Sequence, residues 1–229
     1  MNSFDTEQFV DMKSVLALLF FVIFGACNTP YYSSPNSMLG QPASLYLIDG
    51  RQINGKIAVR TFDDYSSVAR IQFSEGATNQ YRDYFIEDIQ SIYMNGSVYQ
   101  VKLLIGSQFW GGDALRLVKR LSAENGRMAM FEHEKMFKNA TTGKMEKITE
   151  FFLQLPNSQR REIYNAESAK FTHNFDDKMA AIVVDCHELA AKIKSKHRDY
   201  FYPFLANNSE LRRRTVLLQI INEYNSCKQ

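Results

Sequence analysis

Three cysteines, four histidines and a few acidic pairs are the residues of this chain with chemistry to offer. Cys27 follows Gly25 and Ala26 at the end of the apolar run Val15 to Phe24, and the three small residues read as a processing site. Cys186 and Cys227 are the remaining even pair. A disulfide between them would close a loop of about 40 residues and add a few kcal/mol by restricting the unfolded chain; the other reading is two separate thiols, one buried and one near the C-terminus. His133-Glu134 and His187-Glu188 both begin the H-E-x-x-H pattern of a zinc protease, but Phe137 and Ala191 stand where its second imidazole belongs. Cys186 and His187 are adjacent, and adjacent residues on a helix do not face each other, so they make no nucleophile and base. Asp63-Asp64 and Asp176-Asp177 fall at turn and helix-start positions, where solvation and the helix dipole account for them. There is no G-x-S-x-G elbow and no phosphate loop, since Trp110-Gly111-Gly112 lacks both the Lys and the strand-to-helix context. The sequence therefore nominates no catalytic residue, no metal ligand and no cofactor.

Cys27 draws its meaning from the stretch before it. Lys13 supplies a positive start, the ten residues from Val15 are unbroken apolar, and Asn28, Thr29 and Pro30 end the run. A membrane-spanning helix needs roughly 20 apolar residues, so this is a secretion signal rather than an anchor helix. Asp5, Glu7 and Asp11 would make the leader negative, against the positive-inside bias, which points to Met12 as the start. The alternative is an N-terminal helix over Gln8 to Phe24 docked on the core. Phe24-Gly25-Ala26-Cys27 resembles the lipobox of bacterial lipoproteins. That resemblance implies diacylglycerol on the Cys27 sulfur, cleavage before it and acylation of the new amino terminus. Two or three acyl chains at about 0.8 kcal/mol per buried methylene hold a protein stably on a bilayer.

Composition sets wide bounds. Of 229 residues, 45% are hydrophobic and 23% charged, which is a globular chain rather than a disordered one. Loss of the leader leaves about 200 residues, enough for one large domain or two small ones. A net charge of +2 gives no strong field toward nucleic acid. Phe 17 and Tyr 12 against Trp 1 suit strands that present rings to a core.

Five segments follow. Residues 1–27 are the N-terminal extension and signal, and 28–43, with three prolines and no apolar period, are a flexible tether reaching several tens of ångströms at about 3.1 Å per residue. Residues 44–105 read as short strands broken by Asp49-Gly50, Glu75-Gly76 and Asn95-Gly96, a small antiparallel barrel or meander. Residues 106–170 carry a second antiparallel hairpin region, with Ala114 to Leu121 and Arg127 to Phe137 flanking Glu124-Asn125-Gly126, and Ile148 to Leu155 as a third strand. From 171 to 229 the period becomes helical: Asn174 caps a first helix, Asp185 caps a second in a box with Glu188, and Asn208 or Ser209 caps a third. Its apolar stripe is Leu211, Leu217, Leu218, Ile220, Ile221 and Tyr224. The fold class is α+β, strands followed by about three helices.

Two resemblances refine this picture. "LYLIDGRQINGKI" followed by "IEDIQSIYM" resembles the small SH3-like or Sm-like barrels over about 60 residues, which implies a shape more than a ligand. The order of lipobox, strands, "LRLVKRLSAENGRMAMFEHE", "FFLQLP", "KFTHNFDDKMAAIVVDCHELAAKIKSK" and "IINEYN" resembles uncharacterised lipoproteins of Bacteroidetes type over most of residues 12–225. It implies an envelope location and brings no reaction.

The expected protein is a lipid-anchored envelope component acting as a binding or structural module, with the membrane and an envelope protein as partners, no nucleic acid, and no assigned oligomeric state. The alternative is an envelope enzyme whose site is assembled from residues far apart in sequence. Asn28, Thr29, Pro30 and Tyr31 after Cys27 lack the acidic surface-export pattern, so the anchor faces the periplasm, at the outer membrane or another envelope membrane. Lys192, Lys194, Lys196, His197 and Arg198, with Arg212 to Arg214, read as solvated helix faces ahead of a lipid-facing surface. Tyr200 to Phe204 reads as a cover over the helical core ahead of a docking patch.

Overall fold

The Asp49-Gly50 dipeptide turns the chain as its residue types demand. Strands β1 (Gln41–Leu47) and β2 (Gln52–Ala58) run antiparallel on either side of it, with Leu45 opposite Ile53. The Asp49 carboxylate fixes the turn by accepting from the Arg51 backbone N–H at 3.0 Å and from its guanidinium at 2.7 Å. The computed structural model describes residues 40–58, 70–76, 78, 80–106, 114–202 and 210–227. The expected signal with Cys27 and most of the expected tether lie outside the described residues, as do Asp63-Asp64, Trp110 to Gly112, Pro203-Phe204 and Asn208-Ser209.

Strands β3 (Arg70–Glu75) and β4 (Tyr81–Phe85), a single 3-10 turn at Ile86–Asp88 and β5 (Ile89–Met94) complete a first sheet in the order β4-β3-β2-β1-β5. Side chains on a strand alternate between faces, so Leu45, Leu47, Ile57, Ile71, Phe73, Ile89 and Ile92 collect on one side as a buried cluster. Asn95 and Gly96 both take positive φ, 49° and 70°, the conformation that a two-residue hairpin needs. They lead into β6 (Ser97–Ile105), paired with β5 from Ser91↔Gln100 to Met94↔Ser97.

A closed ring then forms on the far half of β6. Strands β7 (Ala114–Arg120), β8 (Ala129–Lys138), β9 (Met145–Gln154) and β10 (Glu162–Asn165) follow in antiparallel succession. β10 closes the ring by lying parallel to β6, with Ile163 opposite Leu104. Among the described residues strands β1 to β5, expected as a small barrel or meander, form an open sheet in which β1 to β4 pair in succession and β5 returns to the other edge of β1. The five-stranded barrel closes downstream, borrowing β6. β10 has no counterpart among the expected elements; four residues between two turns carry too little period to announce a strand.

Two walls separate three cores. In the β6–β7 wall, Val101 and Leu117 face the first sheet, while Leu104 and Val118 face the barrel interior with Ala129, Phe131, Phe152 and Ile163. In the β8–β9 wall, Phe131 and Phe152 point into the barrel while Met130, Phe151 and Leu153 point to the helices. Burial on both faces is why Phe151-Phe152-Leu153 reads as a continuous apolar run.

Helices α1 (Phe175–Ile182), α2 (His187–Lys194) and α3 (Glu210–Ser226) cover the outer side of that second wall. α3 buries Val216, Leu217, Ile220, Ile221 and Tyr224 on one face, against Met179, Val183, Leu189 and Ile193. Leu211, expected in this stripe, is 69% exposed, because the helix begins beyond the edge of the core and Val216 is the first residue of α3 to reach it. Tyr200 and Tyr202 are buried in the same cluster, with the Tyr202 ring 4.9 Å from Phe175. Asn174 does precede α1, in a left-handed conformation and without a side-chain capping bond. The expected cap at Asp185 is corrected: Cys186 holds the N-cap position of α2, because the Asp185 carboxylate is drawn away to Arg127 at 2.5 Å and to the Tyr224 hydroxyl at 3.3 Å. Cys186 and Cys227 are joined by a disulfide with their Cα atoms 6.1 Å apart.

Candidate functional site

The inward positions of the barrel alternate by rule, and following them along β9 locates its polar ends. Phe152 sits in the apolar layer, with Glu150 two residues to one side and Gln154 two residues to the other. At about 3.3 Å per residue these two groups lie on opposite sides of the plug. Each gathers its own polar cluster.

At the Gln154 end the central group is Lys102, at an inward position of β6 and only 6% exposed. Its ammonium nitrogen donates to Gln154 Oε1 and to the Arg160 carbonyl, both at 2.8 Å, and lies 5.0 Å from the centre of the Phe131 ring. Among the described residues no carboxylate comes within ion-pair distance of it. Its charged neighbours are Arg120, Arg160 and Arg161. Burial first, and then these three cations, pull the Lys102 amine down to about 8.

Arg120 and Arg161 are held by backbone carbonyls. Arg120 reaches from the end of β7 to the carbonyls of Ser122 at 3.1 Å and Glu124 at 2.9 Å, and also donates to Ala123. Arg161 donates to the Glu87 carbonyl at 2.8 Å across the gap to the first sheet. A cleft of about 380 Å³ runs over this end, and a smaller one of about 110 Å³ adjoins it. Lys102, Arg160, Gln90 and Gln100 line both. The walls are mostly cations and primary amides, with Glu124 beside Arg120 as the one carboxylate among the described lining residues, and the balance suits a polar ligand carrying negative charge and offers little to an apolar one.

The opposite end of the barrel holds His133, Glu150 and Asn165, all buried. His133 and Glu150 are direct cross-strand partners, with Nδ1 3.9 Å from Oε2. Asn165 donates to the other carboxylate oxygen at 2.7 Å and accepts from the Glu167 backbone N–H at 2.7 Å. His133 is thus an interior residue of a polar network. Its sequence neighbour Glu134 points the other way and pairs with Lys147 at 2.7 Å.

A larger cleft of about 710 Å³ lies between the barrel and the helical layer. Lys170 stacks on Tyr164 there at 3.8 Å and Arg127 on Tyr224 at 4.0 Å, beside Leu155 and Ile182. Arg127 also lines the 380 Å³ cleft, so one side chain borders both.

The remaining candidates from the sequence fall elsewhere. His187 and Glu188 are exposed on the first turn of α2, and the neighbouring Cys186 sulfur is committed to its disulfide. Asp176 pairs with Lys196 at 3.6 Å while Asp177 is exposed. In the basic runs Lys192 is held by Glu223 at 2.7 Å and Arg213 by Glu167. Among the described residues no group of three or more His, Cys, Asp or Glu side chains is placed to hold a metal ion, and no helix is long and apolar enough to cross a membrane.

Lys102, Arg120, Arg160 and Arg161 were not singled out in the sequence. A signal for the first was present: Lys102 interrupts Val101 and Leu103-Leu104 in a strand buried on both faces, where a cation has no ordinary reason to sit. The arginines come together only through the closure of β10 on β6. No protein-family model matches this chain, and neither a curated protein nor a solved structure matches it.

Proposed function

We propose that this chain is a lipid-anchored protein of the cell envelope that works as a binding module, taking the negatively charged group of a ligand into the basic cleft at the end of its barrel. The anchor reading rests on Cys27 at the end of the Val15 to Phe24 run, with the tether of residues 28–43 setting the standoff from the membrane. It places the body on the periplasmic side of the outer membrane or another envelope membrane. Radiolabelled palmitate entering the wild type and absent from Cys27→Ser supports the anchor, and equal incorporation overturns it.

The observation that carries the binding reading is Lys102, an ammonium buried among three arginines with no carboxylate at ion-pair distance among the described residues. Burying a cation beside like charges is costly, and an anion in the cleft offsets that cost. Titration calorimetry of the full chain against inorganic phosphate, sulfate and citrate tests it. Binding at about 1 mM or tighter that weakens in Lys102→Met and in Arg160→Gln supports the reading. Heat that is absent for all three anions, or equal in both variants, contradicts it. The enzyme alternative is favoured by the same residue, since a desolvated amine in a cleft is a usual mark of a reactive site.

A further inference from the structure

We propose that Lys102 is an amine nucleophile whose side-chain nitrogen condenses with the carbonyl group of a small anionic aldehyde or keto acid held in the cleft. This rests on the cleft being an anion site and names the chemistry done there.

The hydrogen-bond count at the nitrogen carries the inference. Lys102 Nζ has two acceptors, Gln154 Oε1 and the Arg160 carbonyl, each at 2.8 Å. A neutral amine has two hydrogens and one lone pair, so both acceptors are satisfied and the lone pair is left for an electrophile; an ammonium in the same place has a third hydrogen to dispose of. The two bonds also fix the nitrogen in position, and Phe131 packs beside it. Because Lys102 lines both adjoining clefts, a ligand in either one meets it.

Arg120, Arg160 and Arg161 then serve twice. They receive the carboxylate or phosphate of the ligand, and they disfavour the ammonium form of Lys102. With the amine pulled down to about 8, roughly a tenth of it is free at pH 7, against about 0.03% for an ordinary lysine. Lys147 and Lys192 are pushed the other way by hydrogen bonds to Glu134 and Glu223.

The bonds balance without an oxidant or reductant. The ammonium gives its proton to water, and the amine lone pair adds to the carbonyl carbon as the C=O pair moves to oxygen and takes a proton. Loss of water and of the second N–H proton leaves the C=N bond. One amine and one carbonyl give one imine and one water.

The test uses the full chain with pyridoxal 5′-phosphate and with glyoxylate, each trapped by sodium cyanoborohydride, whose hydride reduces the imine to a stable secondary amine. Peptide mapping by mass spectrometry then ranks the lysines. The expected result is that Lys102 carries about tenfold more adduct than the average lysine, and that inorganic phosphate suppresses it. In Lys102→Arg, which keeps a cation, this peptide remains unlabelled. An even spread of label, or an unmodified Lys102, overturns the inference. Anion binding in the calorimeter without a Lys102 adduct overturns the imine alone and upholds the anion reading, whereas failure of phosphate, sulfate and citrate all to bind overturns both.

Discussion

Arg127 and Asp185, 58 residues apart in sequence, form an ion pair at 2.5 Å that joins the β7–β8 loop to the turn between α1 and α2. The other terminal nitrogen of Arg127 donates to the Tyr224 carbonyl at 2.8 Å, near the end of α3. Asn225 grips the same loop from both sides, accepting from the Met128 backbone N–H and donating to its carbonyl, each at 2.9 Å. The loop that positions Arg120 over the cleft is thus fastened to the helical layer.

Cutting this fastening costs stability at the rim of the cleft. Arg127→Ala removes a partly exposed ion pair, a bond to a backbone carbonyl and a stacked contact with Tyr224, a loss of about 2 kcal/mol. Urea denaturation measures it; a change under about 0.5 kcal/mol would show that Asn225 alone holds the loop.

The disulfide reinforces the same corner. Reduction of Cys186–Cys227, or the Cys186→Ser and Cys227→Ser double variant, releases a 41-residue separation and lowers unfolding free energy by about 2–4 kcal/mol. Denaturation with and without a dithiol reductant gives the value directly. Equal midpoints would mean that α3 is held by packing alone.

Gly126 illustrates how far the sequence could be read. Glu124-Asn125-Gly126 was expected as a tight hairpin turn, and the chain does reverse there. Yet Gly126 is small for another reason: a Cβ would lie 2.1 Å from the Asn225 amide nitrogen. Asn95-Gly96 met its expectation through local φ alone. Turns, strand period and the helical tail are written in neighbours and were legible. The closure of β10 on β6, the diversion of Asp185 from cap to ion pair and the meeting of Lys102 with Arg160 and Arg161 depend on contacts about 60 residues apart, which no local pattern carries.

At the opposite end of the barrel from Lys102, Asn165 donates to the buried Glu150 carboxylate at 2.7 Å. Asn165→Ala removes this buried, charge-assisted hydrogen bond and costs about 2 kcal/mol. Asn165→Asp places a second carboxylate there and costs more at neutral pH, with part recovered on acidification as one of the pair is protonated. Denaturation at pH 7 and pH 5 checks both; an Asn165→Asp variant no less stable than Asn165→Ala at pH 7 would contradict the burial of this network.

Lys102 gives stability its own pH dependence. Its folded value of about 8 lies below the ordinary lysine value of 10.5, so between the two the unfolded chain binds more protons and stability rises with pH. Below about 8 the full penalty of the buried ammonium is present, and above 10.5 it is gone. The wild type therefore gains about 2 kcal/mol on Lys102→Met between pH 7 and pH 10, a figure reduced from the full linkage value because the cleft admits water. A constant difference between the two proteins across that range would contradict it.

The most direct measurement follows the Lys102 side chain itself. In a chain labelled with 13C and 15N at lysine, the Lys102 signal is titrated with pH in the absence and presence of inorganic phosphate. The expected midpoint without phosphate is about 8 and moves upward when phosphate is added, because a bound anion favours the ammonium. A midpoint that phosphate does not move would show that no anion reaches Lys102, and the cleft would lose its assigned role.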